Sequence, residues 1–371
     1  MTDLSLFWHS ESIEEELELK RRQIIAGRFK LICPLGEGGF GQVWRVKDLW
    51  LNNEVALKIS QDDLTRETLL LRKLPKNQYV SIFDYVKDDV LQIAAYSMEI
   101  LDSPWATLER FYENRIEPNL NNGNFAQPLR LTLHIAIDIL MALQVLHGQR
   151  YGRQDRWCHA DIKPQNLYIN ETAAANAITY CWNKDFIRIA KVGDLGLARE
   201  SGSRLSGGTY NYMAPEQNGT RNVSAATDIF AVGQTIAALI CGSPFDENDL
   251  AHVNRMSHQL RTQIDSDYLT RRLLQPLRRM TLRAPIQRAN SDYAIRMLRG
   301  VVESEDDWHI IGLFECTRFT INEAAEALFL QLAPKRNWTN RTCERIEEMK
   351  MLVRNARRRG LLILDGHTYR L

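Results

Sequence analysis

His159-Ala160-Asp161-Ile162-Lys163-Pro164-Gln165-Asn166 is the stretch on which the reading of this chain turns. An acid, a cation and an amide stand there on one short run. Asp161 can accept a proton from a hydroxyl, Lys163 can neutralise charge on a phosphate in transit, and Asn166 can ligate a divalent metal. Moving a phosphoryl group calls for this set, because its transition state is stabilised by position and charge more than by covalent chemistry.

Working outward, Leu35-Gly36-Glu37-Gly38-Gly39-Phe40-Gly41-Gln42-Val43 has the spacing G-x-G-x-x-G-x-V. Glycines in such a run let the backbone come close to phosphates with amide N–H groups aimed at the anion. A dinucleotide fold has a similar pattern but continues directly into a helix. Here Val43-Trp44-Arg45-Val46 follows, which reads as a strand, so a hairpin is expected. Val55-Ala56-Leu57-Lys58 comes next, then an amphipathic helix over 64–74 that carries Glu67. Glu67 is the best partner for Lys58, and a solvated helix face is the alternative for it. Farther on stand Asp194-Leu195-Gly196, Ala214-Pro215-Glu216, the apolar run Asp228-Ile229-Phe230-Ala231-Val232-Gly233, and Arg288.

In that order the runs resemble the protein kinase superfamily, serine/threonine type, over about residues 27–300. They match its glycine-rich loop, V-A-I-K, H-R-D-x-x-x-x-N, D-F-G and A-P-E. The resemblance implies an α+β, two-lobed fold, with a small β-rich lobe over 27–101 and a large helical lobe over 102–300. It implies ATP and Mg²⁺ as cofactors. Gly36, Gly38, Gly41, Val43, Ala56, Lys58, Met98, Glu99 and Leu101 would bind the nucleotide, Met98 at the back of the adenine pocket and Glu99 and Leu101 through backbone groups. Asn166 and Asp194 would hold Mg²⁺. Asp161, Lys163, Lys58 and Glu67 would carry catalysis, while Glu216, Asp228 and Arg288 are expected to support the lobe. Lys163 and Thr209 resemble serine/threonine kinases more than tyrosine kinases, so protein hydroxyls are the implied substrates.

The sequence departs from the family at Ala160, where an arginine usually stands. That arginine grips a phosphorylated residue of the activation segment through charge-assisted bonds. Phosphorylation of Ser201, Ser203, Ser206 or Thr209 therefore cannot act by that route, and Arg199 and Arg204 are the nearby substitutes. Two other classes of function are a pseudokinase scaffold and a DNA-binding regulator. The scaffold is disfavoured because Lys58, Glu67, Asp161, Asn166 and Asp194 are all present. Some soluble bacterial and phage-borne kinases look similar, which suggests a role in stress or phage-related signalling.

Composition agrees with a globular chain: 371 residues, 44% hydrophobic, 25% charged, net charge +1. No whole-chain field points to nucleic acid. The ends differ, with an acidic segment over 1–26, read as a helix, and a basic one over 335–370. Cysteines 33, 158, 181, 241, 316 and 343 form no C-x-x-C pair, which argues against a disulfide framework or zinc site and for a reducing compartment. Acidic residues crowd the first twenty positions, so no signal peptide is read there. The apolar run 229–241 is shorter than a membrane span of ~20 residues. A cytoplasmic protein without membrane contact is expected. Leu131, Ile135, Ile139, Leu143 and Leu146 recur at helical spacing as a core stripe, with His134 and His147 as structural histidines. Residues 178–189 read as an inserted hairpin around Asn183-Lys184-Asp185. After 300 the kinase pattern stops. A helix over 320–332 with Thr320 and Glu323 as a capping box, a helix over 340–359, and a hairpin over 361–371 turning at Asp365-Gly366 are expected. Together 301–371 resemble a winged-helix module, with nucleic acid as one partner and a protein contact or lobe cap as the alternative.

Overall fold

The computed structural model describes residues 18–39, 41–122, 125–148, 157–177, 187–242, 244, 258, 260, 266–302, 305–314, 318–334 and 336–371. The chain divides into two compact units. One holds the chain up to Arg72 together with Ser81–Ile100, and the other holds Lys73–Val80 and Leu101–Leu371.

The first unit is a six-stranded antiparallel sheet. Its strands are β1 (Ile24–Ile25), β2 (Phe29–Gly38), β3 (Gly41–Asp48), β4 (Asn53–Ser60), β5 (Ile82–Asp88) and β6 (Ile93–Met98), in the order β1-β2-β3-β4-β6-β5. The period-2 alternation of a strand sends successive side chains to opposite faces. On one face Phe29, Leu31, Trp44, Val46, Val55, Leu57 and Ile59 build an apolar core. The register puts Val43 opposite Lys58, Lys58 opposite Tyr96, and Ala56 opposite Met98, so these four nucleotide-site candidates share the other face. The expected β2–β3 hairpin is present, pairing Gly38 with Gly41. At Gly41, φ is +112° and a Cβ would lie 2.1 Å from the Ile59 carbonyl oxygen, so only glycine fits.

Residues 1–17 of the expected acidic helix lie outside the described residues, and 18–26 is not helical. The chain turns at Ala26 and Gly27, both with positive φ, and lays β1 back on β2. Burial of Ile25 in the sheet core explains why that end is a strand. Helix α1 (Thr65–Arg72) is the helix read over 64–74, with Glu67 in its first turn.

The second unit is built on helices Ala126–Leu146, Ala225–Cys241, Asp267–Met280 and Ser291–Arg299. The first of these is long and apolar enough to cross a membrane, but nearly all of it is buried inside the protein, so it is a core helix carrying the stripe read from 131 to 146. His134 and His147 are satisfied structurally, at 2.8 Å from the Ile187 carbonyl and from Asp228. Asp138 accepts from Arg188 and from the Ile189 and Ala190 N–H groups at 2.7–2.8 Å, and burial holds its carboxyl above the usual range. In a three-stranded sheet Leu167–Asn170, which follows the run 159–166, lies between Trp105–Thr107 and Ala190–Val192. After it, Glu171–Ala177 is a short helix. Of the hairpin read over 178–189, residues 178–186 lie outside the described residues.

The expected boundary at 300/301 does not separate two units. Trp308, on helix Glu305–Phe314, sits 5.6 Å from the Arg130 guanidinium across that boundary. Within 301–371, Asp307 is buried against Arg359 at 2.8 Å. Helices Ile321–Leu332 and Cys343–Arg359 follow, the first closed by the expected Thr320–Glu323 capping box. The second starts after Thr342, three residues later than the spacing suggests, because Thr342 is its N-cap. Strands Ile363–Asp365 and Thr368–Arg370 form the hairpin, and Phe319 bridges Tyr369 beside it. Asp365 pairs with Thr368, so the turn is centred on Gly366-His367, one residue beyond the expected Asp365-Gly366.

Candidate active site

The candidate residues form two groups, one in each unit. In the first unit, Lys58 Nζ lies 3.0 Å from both carboxylate oxygens of Glu67. Both residues are about 5% exposed. The solvated alternative for Glu67 is therefore excluded. Tyr96, not singled out from the sequence, donates its hydroxyl to Glu67 Oε1 at 2.9 Å. Its position on β6 opposite Lys58 was available from strand alternation once the register was known. Glu99 N–H donates to the Ser81 carbonyl at 2.9 Å, and Glu99 Oε1 accepts from Ser81 N–H. That N–H is thus committed within the unit. Leu101 begins the second unit.

In the second unit the catalytic loop is fixed from three sides. Asp228 accepts from His159 N–H and Ala160 N–H, both at 2.8 Å. His159 Nε2 lies 2.9 Å from the Gly193 carbonyl, and His159 Nδ1 lies 3.3 Å from Asp161 N–H. One neutral tautomer satisfies both contacts, donating from Nε2 and accepting at Nδ1. Gly193 N–H in turn donates to the Asn166 carbonyl at 2.9 Å. The residue before Asp194 is thus tethered twice to the loop that carries Asp161 and Asn166. Asp194 has φ +52° and accepts from Gly196 N–H.

Around Asp161, which is 6% exposed, three side chains converge. Lys163 Nζ is 3.0 Å from Oδ2, Asn166 Nδ2 donates to Oδ2 at 3.0 Å and to the Asp161 carbonyl at 2.8 Å, and Thr209 Oγ1 donates to Oδ1 at 2.8 Å. Lys163 also donates to Thr209 Oγ1 at 2.8 Å. Both hydrogens of the Asn166 amide are therefore spent on Asp161, leaving its oxygen as the atom that could ligate a cation. With the Asp194 carboxylate this gives two hard oxygen donors, a set that fits Mg²⁺, which usually takes one or two protein ligands and completes its shell with phosphates and water. Among the described residues no cluster of three His, Cys, Asp or Glu side chains has metal-ligating geometry.

Glu216 and Arg288 form the expected ion pair, bidentate at 2.6 and 2.8 Å and almost wholly buried. Cys158, behind the loop, is an inert thiol: burial, with Asp228 beside it, pushes it well above the usual thiol range. Sequence reading missed Gln217, whose side chain bonds the Ala160 carbonyl at 2.7 Å and the Gly207 carbonyl at 2.9 Å. The only sequence signal for it is its place directly after Ala214-Pro215-Glu216.

A family model for the protein kinase domain matches residues 29–307. Among curated proteins, the chain is 29% identical over 229 residues to the "DNA damage-responsive serine/threonine-protein kinase RqkA" of Deinococcus radiodurans, covering 60% of this chain and 31% of that protein. It is 28% identical over 240 residues to the "Serine/threonine-protein kinase PksC" of Streptomyces coelicolor, covering 61% and 39%. The chain spans about a third of the length of such relatives.

Proposed function

The chain belongs to the protein kinase domain family, and on that premise we propose that it transfers the γ-phosphoryl group of ATP to serine or threonine hydroxyls of proteins. The observation that carries this reading is the convergence of Lys163, Asn166 and Thr209 on the Asp161 carboxylate. Asp161 Oδ1 already accepts from a hydroxyl, that of Thr209, and Lys163 donates to the same hydroxyl oxygen. A substrate hydroxyl brought to Asp161 would be oriented and relieved of its proton there, while Lys163 neutralises charge on the group in transit. Lys58, held by Glu67, would orient the nucleotide phosphates, and the glycine turn at the β2–β3 tip would present N–H groups to them. Asn166 and Asp194 would hold Mg²⁺, which supplies charge neutralisation at the phosphates. Relatives described as serine/threonine-protein kinases support the substrate class.

Residues 301–371 we read as a protein contact or lobe cap. Among the described residues six of their cations are held by carboxylates: Arg318 by Asp365, Arg336 by Asp306, Arg341 by Glu326, Lys350 and Arg354 by Glu347, and Arg359 by Asp307.

The test compares wild type with Asp161→Asn, using Mg·ATP turnover on a generic serine/threonine substrate and nucleotide binding in parallel. General-base catalysis is worth ~10²–10⁴-fold, and a loss in that range with nucleotide affinity retained is expected. Turnover within a few-fold of wild type would remove Asp161 from its role.

A further inference from the structure

Ala160 occupies the place of the family's phosphate-gripping arginine, and its surroundings differ in kind. Its side chain is 4% exposed and packs with Cys158, Leu205 and Val223, with Leu197 against them. Leu197 and Leu205 belong to the segment between Asp194-Leu195-Gly196 and Ala214-Pro215-Glu216, so an apolar cluster stands where a cation would reach for a phosphate. The segment is also laced by backbone. Arg199–Glu200 pairs with Trp157–Cys158, Arg204–Ser206 pairs with Asn218–Asn222, and Val223 exchanges bonds of 2.9 Å with Gly202 and Ser203.

At the centre of this arrangement is the Gln217 amide, 1% exposed. Oε1 accepts from Ala214 N–H at 2.9 Å, and Nε2 donates to the carbonyls of Ala160 and Gly207 at 2.7 and 2.9 Å. Ala160 precedes Asp161 by one residue, and Gly207 precedes Thr209 by two. Thr209 donates its N–H and hydroxyl to Asp161 Oδ1 at 3.2 and 2.8 Å. One buried amide therefore ties together the two strands of chain whose next residues meet at the catalytic carboxylate. Two features keep other residues out of this geometry. Gly208 has φ +137°, and a Cβ there would lie 2.9 Å from Gln217 Nε2. Ala160 is held at φ +65°, a conformation that costs an alanine on the order of 1–2 kcal/mol. It persists because Asp228 binds its N–H and Gln217 its carbonyl.

We propose that Gln217 is a positioning residue that holds the segment 195–214 against the catalytic loop without a phosphate, so that transfer activity does not depend on phosphorylation of that segment. The proposal rests on the kinase reading above. It predicts something that reading does not: the staple is an amide with two donors, and its loss loosens one defined segment.

The test is Gln217→Glu in the full chain. The substitution keeps the shape and turns a carboxylate oxygen toward two carbonyl oxygens. Stripping buried acceptors of their donor is expected to lower kcat on the order of 10–100-fold, with KM for ATP unchanged. Lowering the pH protonates the carboxyl and returns one donor, so the ratio of variant to wild-type rate should rise from pH 8 to pH 6. A residue that only supports the fold gives no such change in the pH profile. In parallel, amide hydrogen exchange over 199–213 should quicken in the variant and stay slow in wild type before and after phosphatase treatment. If Gln217→Glu does not fold, Gln217→Met is read in its place, because it keeps the volume and lacks both donors. Exchange unaltered in the variant, or wild-type turnover abolished by phosphatase and restored by autophosphorylation, overturns the proposal while leaving the kinase reading intact. Faster exchange in the variant, with wild type inactive on every substrate tried, upholds the staple and overturns the kinase reading.

Discussion

In the catalytic loop, polar side chains converge; in the carboxy-terminal helices they pair off. Lys163, Asn166 and Thr209 all address one buried carboxylate, Asp161. In contrast, Arg341 meets Glu326, Lys350 meets Glu347 and Arg318 meets Asp365, each pair with at least one largely exposed partner. Burial makes the difference matter. Charges in a low-dielectric setting interact strongly and pay heavily when a partner is lost, whereas exposed pairs are screened by water and salt. On the proposed reading the convergent set acts on something brought to it; the dispersed set covers a surface.

Lys58 and Glu67 give the sharpest way to break that comparison, because they are buried as a pair yet read as part of the reaction. Lys58→Ala should lower kcat/KM on the order of 10²–10³-fold, the scale for removing one preorganised charge from a transition state. Glu67→Ala should cost less, since Glu67 acts through Lys58, and Tyr96 would lose its acceptor as well. Steady-state kinetics over Mg·ATP concentrations from below to above KM check both. A silent Glu67→Ala would mean that the pair serves the fold alone.

An intermediate effect is expected at Arg288, whose pair with Glu216 is as buried but whose hydrogen bonds run to its own surroundings and not to the groups around Asp161. The Arg288 guanidinium also donates to the carbonyls of Leu282, Ala226 and Arg283. Arg288→Met would leave Glu216 buried with Thr227 as a remaining donor. Breaking a buried pair from one side costs about 3–5 kcal/mol, to be read from the denaturant midpoint. The folded fraction should turn over at close to the wild-type rate. A large loss of kcat with unchanged stability would place this pair with the convergent set.

The same contrast explains what the sequence could reveal. Lys58, Glu67, Asp161, Lys163, Asn166, Thr209 and Asp194 carry their chemistry in their side chains and sit in short fixed spacings, so their identity survives without coordinates. The β2–β3 hairpin was legible because Val43-Trp44-Arg45-Val46 alternates. Gln217 was not, because its partners are backbone carbonyls, one of them 57 residues away, and a carbonyl leaves no mark on composition. The tie between 301–371 and the large unit was hidden for a related reason. Arg130 and Trp308 give no sign of their contact until the helices that carry them pack. The strand at Ile24–Ile25 was misread because an acidic run upstream suggested a helix, while the burial of Ile25 decided the outcome.

The smallest effect is expected on the dispersed side. Arg341 and its partner Glu326 are largely exposed, so Arg341→Ala should leave the melting temperature unchanged within error. The same logic limits what the basic end can do with nucleic acid. Arg357 and Arg358 are exposed and have no carboxylate partner among the described residues, but Glu344, Glu347 and Glu348 occupy exposed positions on the first half of the same helix. A duplex approaching that helix would meet those acids beside Arg357 and Arg358. Each phosphate neutralised contributes about −0.9 to the slope of log K against log salt, so contact through Arg357 and Arg358 alone gives a slope of about −2. Titration of the full chain with a duplex at low and moderate salt reads this directly. Weak binding with that shallow slope keeps the carboxy-terminal charges on the dispersed side of the comparison. A slope several-fold steeper would require cations now held in pairs to be released to phosphate, and would move 301–371 from a surface cover to a nucleic-acid site.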